Sequence, residues 1–249
     1  MVSGKYSALS GAIAREQSMA NIAANLANVN TAGYKKASVS FESLLQGVKQ
    51  TQEGKGINYS RIKDNLTDFT PGPLMETANP LDMAIHGEGF FKVQGPNGVL
   101  YTRRGDFALD QNGNLQTSNG LPVLDAANGP INIPDTTTSQ ISVSSLGEIS
   151  VMGKNGSQSV VGNIGVVTID APGKLKRETD TTFSLPPEGQ ETVNTEPVLV
   201  IGSLESSNVN MSEAMTQMID SLRTFETYHK VLKSYSDLSQ KQDELGSLG

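Results

Sequence analysis

The sequence predicts an α+β protein, in which N- and C-terminal helices pair as a coiled-coil-like unit around an inserted all-β domain. Three observations carry this. Apolar residues recur at helical spacing at both ends of the chain, and the middle breaks into short apolar runs punctuated by Asn-Gly dipeptides. No apolar run approaches the ~18 residues that a membrane span needs. The 249 residues are 36% apolar, with no Trp, 25 Gly and 11 Pro, which fits a turn-rich chain with a thin core.

The first element is a helix from Ser3 to about Asn28. Val2, Tyr6, Leu9, Ile13, Ala20 and Ala27 fall near one face, and Met19, Ile22, Leu26 and Val29 fall on a second. A surface helix on a single core needs one stripe, so two stripes imply more than one neighbour. The stretch SMANIAANLANVNTAGYKK, residues 18–36, places Asn at 21, 25, 28 and 30. Asn competes with the helix for backbone hydrogen bonds. These amides are either solvated or set against another chain.

Residues 41–77 are polar with weak periodicity and read as an extended linker. Residues 78–204 read as β. Turn dipeptides stand at Asn97-Gly98, Asn112-Gly113, Asn119-Gly120 and Asn155-Gly156. FFKVQGPNGVLYTRRG has the pattern of a hairpin, and so has ISVSSLGEISV, where Ile141 and Val143 face Ile149 and Val151 across Leu146-Gly147.

The last element is a second helix within residues 205–249, capped by Asn210 with Glu213 three residues on. Met211, Met215, Met218, Leu222 and Phe225 follow heptad-like spacing. After Phe225 the stripe slips to Tyr228, Val231, Tyr235, Leu238 and Leu245, an expected stammer. Residues 1–50 carry a net charge of +3 and residues 201–249 a net charge of −3, which would steer the two ends together.

Composition and motifs argue against catalysis. The net charge of −7 disfavours a nucleic-acid partner, and zero Cys excludes disulfides and thiol chemistry. His86 and His229 lie in different zones without the partners that a catalytic or metal site requires. DQNGNL, residues 110–115, opens like a calcium loop but has Leu115 and Leu121 where Gly and Glu are needed. GEGFFK, residues 87–92, has Lys92 where a dinucleotide fingerprint needs its third Gly. No cofactor and no membrane insertion are expected. The start lacks a basic region followed by an apolar core, so a cleaved secretory signal is not expected either. The Lys35-Lys36 pair reads as a solvated helix end.

NIAANLANVNTAGYKK closely resembles the N-terminal signature of the bacterial flagellar axial proteins, the rod, hook and hook-associated subunits. Ala24 stands where that signature usually has Asn, and Tyr34 where it usually has Phe. NPLDMAIHGEGFFKV and YTRRGDFALDQNGNL resemble the family's middle motif, and GSLESSNVNMSEAMTQMIDSLRTFE its C-terminal one. Met215 and Thr224-Phe225 favour a proximal rod subunit over a distal rod or hook one. A glycan-processing module would need a carboxylate pair in a cleft or an aromatic platform, and the sequence shows neither.

The resemblance implies a structural subunit of the basal-body rod that crosses the periplasm. Its partners would be further copies of itself, neighbouring rod proteins and the flagellar type III export apparatus. The terminal segments would be disordered until assembly and would then form an inner helical layer. The assembly interface is expected on Tyr6, Leu9, Ile13, Ile22, Asn25, Leu26, Ala27, Asn28, Thr31, Gly33 and Tyr34 at one end. At the other end it is expected on Asn208, Met211, Met215, Met218, Leu222, Phe225 and Leu232. In this reading Ala20, Ala23 and Ala27 admit a close helix, Asn25 and Asn28 bond buried backbone or a neighbouring subunit, and Gly33 takes a positive φ to end the segment.

Overall fold

The computed structural model describes residues 2–46, 57–133, 140–152 and 158–246. The chain divides into two units, one of Met1–Ala27, Ala37–Asp68 and Asn210–Gly249, the other of Asn28–Lys36 and Phe69–Val209.

The first unit holds helix α1 (Val2–Ala27), strands β1 (Ala37–Gln46) and β2 (Ile57–Thr67), and helix α2 (Met211–Gly246). Asn210 caps α2, its Oδ1 accepting the Glu213 N–H at 3.2 Å. Neither Pro nor Gly interrupts α2 before Gly246. Burial along α2 follows one continuous alternation of four- and three-residue steps. Ala214 and Ser221 are buried, and Met218, Phe225, Tyr228, Leu232 and Tyr235 are half-buried. The expected stammer after Phe225 is corrected by this pattern, which needs no slip. The stripe legible in the sequence mixes two faces, because Ala214 and Ser221 add too little hydropathy to mark the packed one.

α1 meets α2 through small residues. Tyr235 covers Gly4, and Tyr228 covers Gly11. A Cβ at Gly4 would lie 2.6 Å from Tyr235 Oη, and one at Gly11 would lie 2.6 Å from Tyr228 Cζ. The two pairings advance in opposite directions along the chain, so the helices run antiparallel here. Bare backbone on α1 accepts the rings that α2 presents.

α1 also packs on β1 and β2. These strands pair antiparallel from Ala37↔Thr67 to Gln46↔Ile57, with a register shift between Ser40 and Phe41. Much of the stretch expected as an extended linker is therefore a hairpin. The bulge explains why the sequence does not announce it, since an extra residue reverses which alternate positions face inward and destroys the two-residue period. The connection over 47–56 lies outside the described residues.

Apart from one 3-10 turn at Pro172–Lys174, the regular elements described in the second unit are β strands. It holds β3 (Leu74–Glu76), β4 (Met83–Ile85), β5 (Phe90–Gly95), β6 (Gly98–Thr102), β7 (Phe107–Leu109), β8 (Leu115–Thr117), β9 (Gln140–Val143), β10 (Glu148–Met152) and β11 (Gln158–Asn163). It continues with β12 (Val166–Ile169), β13 (Lys176–Arg177), β14 (Thr182–Ser184), β15 (Glu191–Val193), β16 (Leu199–Ile201) and β17 (Ser203–Glu205). The largest sheet has the order β13-β14-β6-β5-β12-β15, beside a three-stranded β11-β10-β9 sheet and the pairs β16–β4, β17–β3 and β7–β8.

Both faces of the large sheet are covered. Phe91 and Val166 join one core with Met83, Leu115 and Ile149, and their chain neighbours Phe90 and Val167 join another with Phe183 and Leu175. Successive side chains of a strand point to opposite faces, so an uninterrupted apolar pair is the mark of a strand buried on both. The ISVSSLGEISV hairpin forms in the expected register, with Ile141 opposite Val151 and Val143 opposite Ile149. In the β5–β6 hairpin the two loop residues are Pro96-Asn97, with Gly95 paired to Gly98, so the expected Asn97-Gly98 turn is displaced by one residue. The Asp110 carboxylate accepts the N–H groups of Asn112 and Asn114 at 2.7 and 2.8 Å, closing its own turn. Asn155-Gly156 lies outside the described residues.

Candidate assembly interface

The two helices of the first unit use one face on each other and leave a second face apolar and open. On α1, Tyr6, Leu9 and Ile13 are 43–48% exposed, and on α2, Met211, Met215, Ile219 and Leu222 are 43–50% exposed. Each set repeats every three, four or seven residues, so it forms a stripe rather than a scatter. Large apolar side chains aligned on one helix face mark an interaction surface. Ala27 is exposed at the C-terminal end of α1, well beyond Ile13, while Met218, Phe225 and Leu232 belong to the packed seam of α2.

Several residues expected between subunits are engaged inside the chain instead. Ile22 is buried and Leu26 half-buried. Asn25 is 4% exposed, and its amide makes two hydrogen bonds with the backbone of Ala37, donating to the carbonyl at 2.7 Å and accepting the N–H at 2.9 Å. The helical Asn therefore bonds a strand of its own chain. Of the two partners expected for this amide, buried backbone or a neighbouring subunit, it is backbone that it bonds here.

The segment after α1 is anchored in the second unit. Thr31 Oγ1 donates to Asn28 Oδ1 at 3.0 Å, which turns the chain. Gly33 has φ 69° and donates its N–H to the Glu205 carbonyl at 2.7 Å. A Cβ there would lie 2.4 Å from Arg104 N, so the site requires Gly on both counts. Tyr34 is buried with the Arg177 guanidinium 4.9 Å from its ring centroid, and Arg177 also lies over Phe183 and donates to the Lys35 carbonyl. Burial raises the Tyr34 phenol above its ordinary pKa, against the pull of Arg177. Gly33 and Tyr34 thus serve the β unit rather than an open surface.

Lys35 is fully buried, which corrects the expected solvated helix end. Its Nζ donates to Glu205 Oε1 and to the Thr70 carbonyl. The same carboxylate accepts Arg103 Nη1 at 3.3 Å and the Gly72 N–H at 3.0 Å. Arg103 Nη2 donates to the Gly87 carbonyl at 2.8 Å. Two buried cations share one carboxylate, and backbone carbonyls take up the surplus charge. Burial lowers the Arg103 pKa, and Glu205 opposes the shift. Asn208 lies half-buried beside this cluster, its Oδ1 accepting the Lys36 N–H at 2.7 Å.

Sequence reasoning missed Lys35, Arg103, Glu205 and Arg177. A Lys directly after a Gly-aromatic pair and a Glu inside an apolar GSLESS strand were the available signals. Among the described residues no cluster of His, Asp and Glu could hold a metal, and no helix is long and apolar enough to cross a membrane.

Helices whose second face is open and apolar, carried by a β unit, define a subunit built to associate. Residues 6–35 match the family described as flagella basal body rod protein, and residues 84–151 match the flagellar hook protein FlgE/F/G D1 domain. Residues 201–245 match the flagellar basal body rod FlgEFG protein C-terminal family. The flagellar basal-body rod protein FlgG of Bacillus subtilis (strain 168) is 30% identical over 97% of this chain and 98% of its own length. The flagellar basal-body rod protein FlgF of Escherichia coli (strain K12) is 32% identical over 98% of each. FlgG of Buchnera aphidicola subsp. Acyrthosiphon pisum (strain APS) is 33% identical over 98% of this chain and all of its own. The chain belongs to the flagellar basal-body rod protein family, and it is a structural subunit of the rod in the flagellar basal body.

Proposed function

We propose that this subunit builds the rod through its terminal helices and transmits motor torque mechanically, without catalysis. The observation that carries the reading is the pair of open stripes, Tyr6-Leu9-Ile13 and Met211-Met215-Ile219-Leu222, on helices already packed on another face. One stripe on each of two helices lets a copy meet a different surface of the next, and such a heterologous contact does not close on itself but grows into a helical array. The paired helices form an inner coiled-coil layer with neighbouring copies and other rod proteins. The subunit travels through the flagellar type III export apparatus and acts in the periplasm.

Assembly adds burial to helices that the single chain packs on one face only. Fixing a residue's backbone costs about 1–2 kcal/mol, and an isolated helix is marginal in water. Leu9→Asp and Met215→Asp in the full chain test the reading. Each is expected to keep the urea unfolding midpoint of the purified subunit and to abolish motility when expressed in a deletion strain. Full motility with both substitutions present would contradict it.

Within the family we infer a proximal, FlgF-like place, supported by Met215 and Thr224-Phe225 in the C-terminal motif. A distal, FlgG-like place is the second reading, since relatives of both names match along the whole chain. The stage at which rod growth stops in a deletion strain distinguishes them.

A further inference from the structure

Four peptide junctions carry the chain from one unit to the other: after Ala27, Lys36, Asp68 and Val209. On the side of the second unit, the segments adjoining all four are tied to one another within a few residues. Asn208 is the link. Its Oδ1 accepts the Lys36 N–H at 2.7 Å, and its Nδ2 donates to the Thr70 carbonyl at 3.1 Å and to Thr70 Oγ1 at 3.2 Å. Glu205, three residues earlier at the end of β17, repeats the connection. It accepts the Gly33 N–H on its backbone oxygen and the Lys35 Nζ and the Gly72 N–H on its carboxylate. Ser206 donates its N–H to the Pro73 carbonyl at 2.8 Å, closing the third side.

We propose that Asn208 and the Glu205–Lys35 pair form a clasp, a positioning device that makes residues 28–36, 69–73 and 205–209 one cooperative body. The inference rests on the mechanical role proposed above and adds where load enters the β unit. A lone tether yields by rotating its own φ and ψ. Three segments joined by the buried Lys35–Glu205 pair and by the Asn208 amide open only together, because releasing one strands the polar partners of the others. A buried ion pair is a weak source of net stability but a strong constraint on which arrangement forms. The Asn208 amide, with a donor and an acceptor on one planar group, fixes two segments at once.

The full-length subunit tests this by amide hydrogen exchange. In the native chain the N–H groups of Gly33, Lys36, Gly72 and Ser206 are expected to exchange at a common rate. Asn208→Ala should accelerate all four about tenfold or more, and leave the strand amides of Val93 and Val167 unchanged. Acceleration of Lys36 alone would overturn the clasp, leaving a single local bond. Equal acceleration of Val93 and Val167 would overturn it too, since the segments would then open only with the β unit itself. Asn208→Asp provides a second variant, which keeps the acceptor for Lys36 but loses the donor to Thr70. It should speed Gly72 and Ser206 more than Lys36, and a native profile would contradict the proposal.

The mechanical readout is separate. Asn208→Ala is expected to enter basal bodies at the native level yet to support rotation at low viscous load and not at high load. Native rotation at every load would overturn the clasp's role, while failure of even the native chain to enter basal bodies would instead remove the function proposed above and leave the exchange result standing.

Discussion

The side chain of Asn25 and the backbone of Ala37 form a closed pair of hydrogen bonds, Nδ2 to carbonyl at 2.7 Å and N–H to Oδ1 at 2.9 Å. The amide imitates a neighbouring strand at the first residue of β1, where ladder pairing begins. Asn25→Leu leaves the Ala37 N–H and carbonyl without these partners at a site where the side chain is 4% exposed. The expected loss is about 1–3 kcal/mol, read from urea unfolding of the full chain. Asn25→Asp keeps the acceptor but sets a buried carboxylate oxygen against the Ala37 carbonyl, and is expected to cost at least as much.

Gly11 and Tyr228 make the corresponding prediction for the helix pair. A Cβ at residue 11 would lie 2.6–2.9 Å from three atoms of the Tyr228 ring. Gly11→Val forces the ring aside and is expected to cost about 1–3 kcal/mol, partly offset because Gly is a poor helix former. Gly11→Val combined with Tyr228→Ala should recover part of the loss. Helical circular dichroism during urea titration measures both, and strictly additive effects would count against the contact.

The Glu205 carboxylate is shared by Lys35 and Arg103, all three residues at most 3% exposed. Glu205→Gln preserves shape and removes the charge, leaving two cations buried together. The expected destabilisation is about 3–5 kcal/mol, measured as a shift in the urea midpoint of the β signal. Glu191 is 30% exposed and reaches water while its partner Lys92 is 1% exposed, so Glu191→Gln, which leaves one buried cation rather than two, should cost less.

Alkaline pH is expected to weaken the fold. Tyr101 donates to Glu191 at 2.6 Å, and burial, then that carboxylate, raise its phenol well above the ordinary range. Above about pH 10 the unfolded chain releases this proton and the folded chain retains it. The unfolded state then binds fewer protons, so stability falls as pH rises through that range. Tyr101→Phe removes the proton and should flatten the fall between about pH 9 and 11, visible in urea midpoints across that interval.

The sequence revealed elements wherever one signal acted locally. Asn210 and the uninterrupted run after it announce α2, and the spacing of Ile141, Val143, Ile149 and Val151 announces a hairpin with its register. What stayed hidden depended on distance or on small side chains. Lys35 looks solvated because its partner Glu205 lies 170 residues away. The packed faces of the helices are written in Gly4, Gly11, Ala214 and Ser221, whose hydropathy is too low to compete with the open stripes. The most conspicuous apolar residues, Leu9 and Met215 among them, are those that the lone chain leaves exposed. The open stripes were therefore easier to read than the packed faces beside them.

The central claim is that the open stripes of α1 and α2 become covered when the subunit joins the rod. The chain has no cysteine, so Ile13→Cys and Met215→Cys each introduce a single reactive thiol. Maleimide labelling of each variant, first as purified subunit and then in isolated basal bodies that contain it, measures the covering directly. The account predicts ready labelling of the free subunit and loss of labelling at both positions after incorporation. Equal labelling in the two states would contradict it.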